Sequence, residues 1–138
     1  MLARVQQEEP QGCAIACVAM VLGVTYTEAR RRCTPGAGPT GLMTHFVADA
    51  VLGEAGFAIR RIYRVGPGNV PCTPWPPAPF APLHLAEAMT SQGGHAAVML
   101  ADGAILDPWD ASRTRLDHPD YLAVHHVAGL WRVAERAA

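Results

Sequence analysis

Cys13-Ala14-Ile15-Ala16-Cys17-Val18-Ala19-Met20-Val21-Leu22-Gly23-Val24 is the longest apolar run in the sequence, broken only by Gly23. It is far shorter than the roughly 20 residues that a bilayer span requires. Pro10 to Leu22 reads as a helix that is apolar on every face, and such a helix is stable only when it is buried all round. It is expected to be the central helix of the fold, stopped by Gly23. Thr25 then caps a short second helix, with Glu28 completing a capping box, and Arg30-Arg31-Arg32 is read as its solvated face. A loop over 34–39 leads to a third helix from Gly41 to Leu52, with apolar residues at Leu42, Phe46, Val47, Ala50 and Val51.

Beyond Gly53 the pattern changes. Phe57 to Val65 is rich in β-branched and aromatic residues and reads as the first strand. Gly66 to Pro82 holds seven prolines in seventeen residues, which excludes regular structure and marks a long loop of the kind that more often serves function than not. Leu83 to Thr90 reads as a short helix by propensity, with a strand as the alternative. From Gly93 onward the reading is β: His95–Leu100, a turn at Ala101-Asp102-Gly103, Ala104–Asp107, and Ala123–Val133. Helices first and strands after give an α+β domain rather than alternating βαβ units. At 138 residues, 50% apolar and 17% charged, one domain over 1–138 is expected, with a helical lobe at about 10–54, the proline-rich loop at 66–82, and sheet at 57–65 and 93–134.

Eleven basic residues, all arginine, against twelve acidic ones exclude a whole-chain nucleic-acid footprint. The polar flank Gln6-Gln7-Glu8-Glu9-Pro10 before the apolar run does not fit a signal peptide. The sequence therefore reads as cytoplasmic, without a membrane span. There, cysteines serve as free thiols, metal ligands or nucleophiles rather than as a disulfide framework. The Cys-x2-Cys and His-x3-His pairs of zinc sites are missing, so no metal and no cofactor is expected. Cys17 is assigned to the core, and Cys33 and Cys72 to loops. Of His125 and His126, one faces solvent and one packs inward, since neighbours on a strand point opposite ways.

Cys13 sits in the first turn of the buried helix, where unpaired amides and the helix dipole favour a thiolate. Six residues upstream, the Gln7 amide is positioned to join the Cys13 backbone N–H in binding a developing oxyanion. His95 follows Gly93-Gly94, a bare stretch able to accept a peptide, and Trp109 is a candidate wall for the same cleft, as is Trp75. A nucleophile and a base of this kind suit acyl transfer. The third member depends on hairpin register. A three-residue loop with Gly103 in the left-handed position puts Asp107 opposite Ala97, on the face of His95 and one diagonal step away. A two-residue turn would flip the alternation and bring Asp110 opposite His95 instead. Asp107 is preferred, with Asp110 the alternate.

Gln7-x5-Cys13-x2-Ala16-Cys17-x2-Met20, then Gly94-His95 leading an apolar strand and Asp107-Pro108, resembles the papain-like cysteine peptidases that process double-glycine leader peptides, the bacteriocin-processing type. The resemblance covers roughly residues 5 to 110. It implies a papain-like fold, Gln7 in the oxyanion hole, Cys13 as nucleophile, His95 as general base and Asp107 as its orienter. It also implies a peptide or protein substrate cut after small or glycine residues. No transporter segments follow, so a stand-alone relative is expected. The family usually carries Asp before and Gly after the nucleophile, where this chain has Gly12 and Ala14, and its His-to-Asp interval is longer. The Gly12 and Ala14 departures motivate a second reading, an inactive papain-like domain that binds peptide or a partner protein; within the enzyme class, an acyl or amide transferase or a deconjugating enzyme would use the same triad.

Overall fold

The computed structural model describes residues 2–33, 45–63 and 78–133. Three helices, α1 (Cys13–Leu22), α2 (Tyr26–Cys33) and α3 (His45–Glu54), precede five strands, β1 (Phe57–Tyr63), β2 (Leu83–Thr90), β3 (Gly93–Leu100), β4 (Ile105–Leu106) and β5 (Ala123–Arg132). The strands form one antiparallel sheet in the order β1-β5-β2-β3-β4. The architecture is α+β. Among the described residues no single helix is long and apolar enough to cross a membrane.

α1 is buried as its composition requires, with Ile15 through Val21 at most 1% exposed. It packs with α2, α3 and one sheet face in a core that includes Leu52, Phe57, Leu85, Val98, Ala128 and Leu130. The opposite sheet face carries a second core of Ala86, Ala88, Ala97, Met99, Ile105, Leu116, Tyr121, Val124 and Val127. Gly23 ends α1 in the left-handed conformation, and Thr25 Oγ1 accepts the Glu28 N–H at 3.1 Å as the cap of α2. Arg31 and Arg32 pair with Glu28 on the exposed face, while Arg30 turns back to Glu9.

Several expectations need correction. α1 starts at Cys13 rather than Pro10, because residues 8–11 form turns. Leu83–Thr90 is a strand, not a helix, so the sheet extends beyond 57–65 and 93–134. β2 lies between β5 and β3, and its alternation sends Leu85 to one core and Ala86 and Ala88 to the other. Pairing with β5 on one side and β3 on the other overrides the helix propensity of Leu, Ala, Glu and Met. Cys33 is the last residue of α2 and is buried, not in a loop. Cys72, Trp75, residues 41–44 of the third predicted helix, residues 64–65 of the first strand and most of the proline-rich segment lie outside the described residues. Of the adjacent histidines, His126 is the buried one, with Nε2 donating to Glu87 Oε2 at 2.6 Å across the β2–β5 pair.

The end of the proline-rich segment is fastened by His84, which is fully buried. Its Nε2 accepts the N–H groups of Phe80 and Ala81 at 2.9 and 3.0 Å, and its Nδ1–H donates to Met99 O at 3.1 Å. That arrangement requires a neutral ring, and burial lowers the His84 pKa accordingly.

Candidate active site

Two local devices bring the candidate residues together. The first is the β3–β4 turn, where Leu100 N–H donates to Ala104 O at 2.8 Å and Gly103 N–H to Leu100 O at 3.0 Å, with Gly103 at φ +89°. Val98 therefore faces Leu106 and Met99 faces Ile105, the register of a three-residue loop. Asp107 follows directly and lies on the His95 side of the ladder. Asp110 is elsewhere, its carboxylate turned to Ser112. The second device is a clasp of the N-terminal segment on residues 107–109. Gln7 N–H donates to Pro108 O at 2.8 Å, Arg4 Nε to Asp107 O at 2.5 Å, and Gln6 Nε2 to Trp109 O at 3.2 Å.

His95 Nε2 is 3.0 Å from each oxygen of Asp107. This leaves the other ring nitrogen for Cys13, whose thiol hydrogen-bonds the His95 side chain. Burial pushes the Cys13 thiol up, but the hydrogen bond from His95, backbone hydrogen bonds from Ala96 and Ala14, and the His95 charge outweigh it. The net pKa lies below the ordinary thiol value. Burial disfavours the charged His95 ring, yet hydrogen bonds to Asp107 and Cys13 and the charges of both raise it to about 9. Asp107 is fully buried and would be pushed up by that burial, but its donors hold it far below the usual carboxylate range. Both shifts favour a thiolate–imidazolium pair, backed by a buried carboxylate. Cys17, one turn further along α1, is fully buried with its thiol pushed well up, first by desolvation and then by the Cys13 and Asp107 charges. It stays a neutral packing group.

Cys13 and His95 open on a cleft of about 600 Å³ whose wall includes Gln7, Gln11, Thr90, Gln92, Gly94 and Trp109. Trp109 is 44% exposed at its rim. A Cβ added at Gly94 meets nothing within 4 Å, so the missing side chain leaves free space. Gly93 does not line the cleft. It serves the β2–β3 turn at φ +109°, and Thr90 Oγ1 donates to its carbonyl at 3.1 Å. Gln7 is 5% exposed. Its Nε2 donates to Glu9 O at 2.9 Å and Pro10 O at 3.1 Å, and its Oε1 has no hydrogen-bond partner. The two carbonyls fix which end of the amide faces them, because the opposite orientation would set oxygen against oxygen.

Gly12 has its own local cause. A Cβ there would lie 2.0 Å from Tyr26 Oη, and that hydroxyl donates to Glu9 Oε1 at 2.7 Å. The turn entering α1 is thus braced by Tyr26, Glu9 and Arg30, and any side chain before Cys13 would have to displace the Tyr26 hydroxyl. Tyr121 and Arg113, both buried and both contacting Asp107, were not singled out from the sequence. No short-range spacing marks them, since they return to Asp107 from fourteen and six residues downstream. Among the described residues no group of three or more His, Cys, Asp or Glu is placed to hold a metal ion.

Two solved structures share this fold. A double glycine motif protease from an AMS/PCAT transporter, crystallised in complex with the leader peptide, matches 96% of this chain and 92% of its own at a TM-score of 0.56 and 16% identity. The fold is papain-like. The peptidase domain of Streptococcus ComA, a bifunctional ABC transporter involved in quorum sensing, matches 96% of this chain and 99% of its own at a TM-score of 0.61 and 14% identity. No protein-family model and no curated protein sequence matches the chain. The chain therefore resembles double-glycine leader peptidase domains in architecture, at identities where only the fold is carried across.

Proposed function

We propose that the chain is a cysteine peptidase that hydrolyses a peptide bond after small residues, with Cys13, His95, Asp107 and Gln7 as its working groups. The observation that carries the reading is the unbroken chain of contacts from the Cys13 thiol through the His95 ring to the buried Asp107 carboxylate, at the wall of a cleft wide enough for a peptide. The thiolate attacks the scissile carbonyl, and the oxyanion forms beside the first-turn amides of α1. For Gln7 to assist, one Nε2–H leaves a carbonyl, that of Pro10 having the longer contact, and turns to the oxyanion. His95 gives its proton to the departing amine, and the C–N bond breaks to leave an acyl-enzyme. Water, deprotonated by the now neutral His95, then hydrolyses the thioester and restores the pair.

The open space at Gly94 beside His95 leaves room for an extended peptide to pass close to the strand backbone. The structural likeness to a protease crystallised with a leader peptide supports a peptide ending in two glycines as the first substrate to try. The test is mass spectrometry of peptides with Gly-Gly or Leu-Leu before the scissile bond, incubated with the wild-type chain and with Cys13→Ala. Cleavage after Gly-Gly that disappears in Cys13→Ala is expected. Absence of cleavage, together with Cys13 alkylation by iodoacetamide no faster than that of an ordinary thiol, would overturn the reading in favour of a peptide-binding domain.

A further inference from the structure

The Asp107 carboxylate collects more donors than a partnership with His95 needs. Oδ1 accepts the backbone N–H groups of Trp109 and Asp110 at 2.8 and 2.9 Å. Oδ2 accepts the Tyr121 hydroxyl at 2.5 Å, and Arg113 Nη1 lies 3.5 Å from it. Arg113 is itself held by Asp120 Oδ2 at 3.0 Å, with Asp110 Oδ2 at 4.0 Å. Tyr121 is 3% exposed and Arg113 7% exposed, so both contacts are shielded from water and carry more weight than surface pairs.

We propose that Tyr121 and Arg113 are positioning residues that act through Asp107, limiting how strongly its carboxylate holds the Nε2 proton of His95. The proposal rests on the reading of Cys13, His95 and Asp107 as a working triad. A carboxylate whose negative charge is shared with a hydroxyl and a guanidinium is a weaker acceptor toward any third donor. Without them, Oδ2 would turn its charge on the imidazolium alone, and the ring would part less readily with the proton that the leaving amine needs.

The other groups facing Asp107 do not take over this task. From β3 there is His95 itself, and from α1 the Cys13 thiolate and the neutral Cys17. From the segment after β4 come Arg113, Tyr121 and the Asp110 carboxylate, which is exposed and engaged with Ser112. Arg4 reaches only the Asp107 backbone carbonyl. Tyr121 and Arg113 are therefore the side chains other than His95 that donate to this carboxylate among the described residues.

The test is an NMR titration of the His95 ring in the wild-type chain and in Tyr121→Phe, Arg113→Gln, Arg113→Lys and Asp120→Asn. Phenylalanine keeps the volume of Tyr121 in the core, and Asp120 is a surface residue, so at least one variant of each sign retains the fold. The His95 midpoint is expected to rise by roughly half a unit or more in Tyr121→Phe and Arg113→Gln, because an acceptor loses a competing donor. It is expected to return toward wild type in Arg113→Lys. In Asp120→Asn it falls, because Arg113 is freed for Asp107. In the same variants, kcat/KM for an amide substrate falls several-fold in Tyr121→Phe. A merely structural role predicts the reverse, since a loosened Asp107 drops the His95 midpoint toward the ordinary 6.5. A fall or no change in Tyr121→Phe and Arg113→Gln overturns the proposal. Titration shifts of the expected sign without peptide hydrolysis by the wild-type chain would overturn the peptidase reading and leave the clamp on Asp107 standing.

Discussion

His95 Nε2 is equidistant, at 3.0 Å, from the two oxygens of Asp107, and this symmetric contact decides which ring nitrogen is left for the thiol. An uncharged amide in its place would remove both the orientation and the charge. In Asp107→Asn the His95 pKa is expected to fall from about 9 toward 6.5, and the Cys13 thiol to lose the partner that keeps it ionised. Each unit of thiol pKa is a factor of ten in thiolate. Alkylation of Cys13 by iodoacetamide at pH 6 should slow by roughly tenfold or more, and an unchanged rate would show that Asp107 does not support the pair.

Gly94 offers a separation of binding from folding. Since an added Cβ meets no atom within 4 Å and the residue lines the cleft, Gly94→Ala should leave the thermal midpoint within about 1 °C of wild type, as surface changes usually do. Gly94→Val should raise KM for peptide several-fold without slowing iodoacetamide, which is small enough to enter beside an isopropyl group. Equal loss toward peptide and alkylating agent would place the effect on Cys13 instead.

Gly12→Ala attacks the approach to α1. Its Cβ would meet Tyr26 Oη at 2.0 Å, which forces the ring aside and breaks the bond to Glu9. Overpacking of this kind costs on the order of 1–3 kcal/mol. Removal of the hydroxyl in Gly12→Ala/Tyr26→Phe should recover part of the loss, because the next atom, Cζ, lies at 3.0 Å. Denaturant unfolding of the two single variants and the double variant reads this coupling directly, and strict additivity would count against it.

The parts of the site that lie close along the chain, or that a turn fixes, were legible in the sequence. Gln7 and Cys13 flank one turn at the start of an all-apolar helix, and Gly103 with its positive φ sets the register that carries Asp107 past Ala97 toward His95. Contacts made by a folded-back loop were not legible. Tyr121 and Arg113 reach Asp107 only after an irregular stretch returns across the second core, and no periodicity encodes that return. β2 was misjudged for a related reason: its Leu, Ala, Glu and Met favour a helix, while the pairing with β5 and β3 that makes it a strand is long-range and leaves no local mark. Gly93 was assigned to the substrate, yet the turn that it closes requires the glycine.

Two of the buried histidines, His84 and His95, pull the stability of the protein in opposite directions with pH. His84 is neutral in the fold, its pKa lowered by burial, so as pH falls below 6.5 the unfolded chain takes up a proton that the native state does not. Stability contributed by His84 is thus present above 6.5 and lost toward acid. His95 is raised to about 9, so its contribution is complete below 6.5 and lost as pH climbs through 9. Asp107, held far below its ordinary value, adds stability above about pH 4 that is lost toward strong acid. Thermal midpoints measured from pH 4 to 10 should therefore peak near pH 6 to 7. In His84→Gln the acid limb should flatten while the midpoints drop at every pH, a loss of stability of about 1–3 kcal/mol, because the Phe80 and Ala81 N–H groups lose a well-placed acceptor. In Asp107→Asn the alkaline limb should flatten instead, since a ring with an ordinary pKa has no proton to lose between 6.5 and 9. A variant that lowers stability equally at every pH would show that its histidine is not the titrating group.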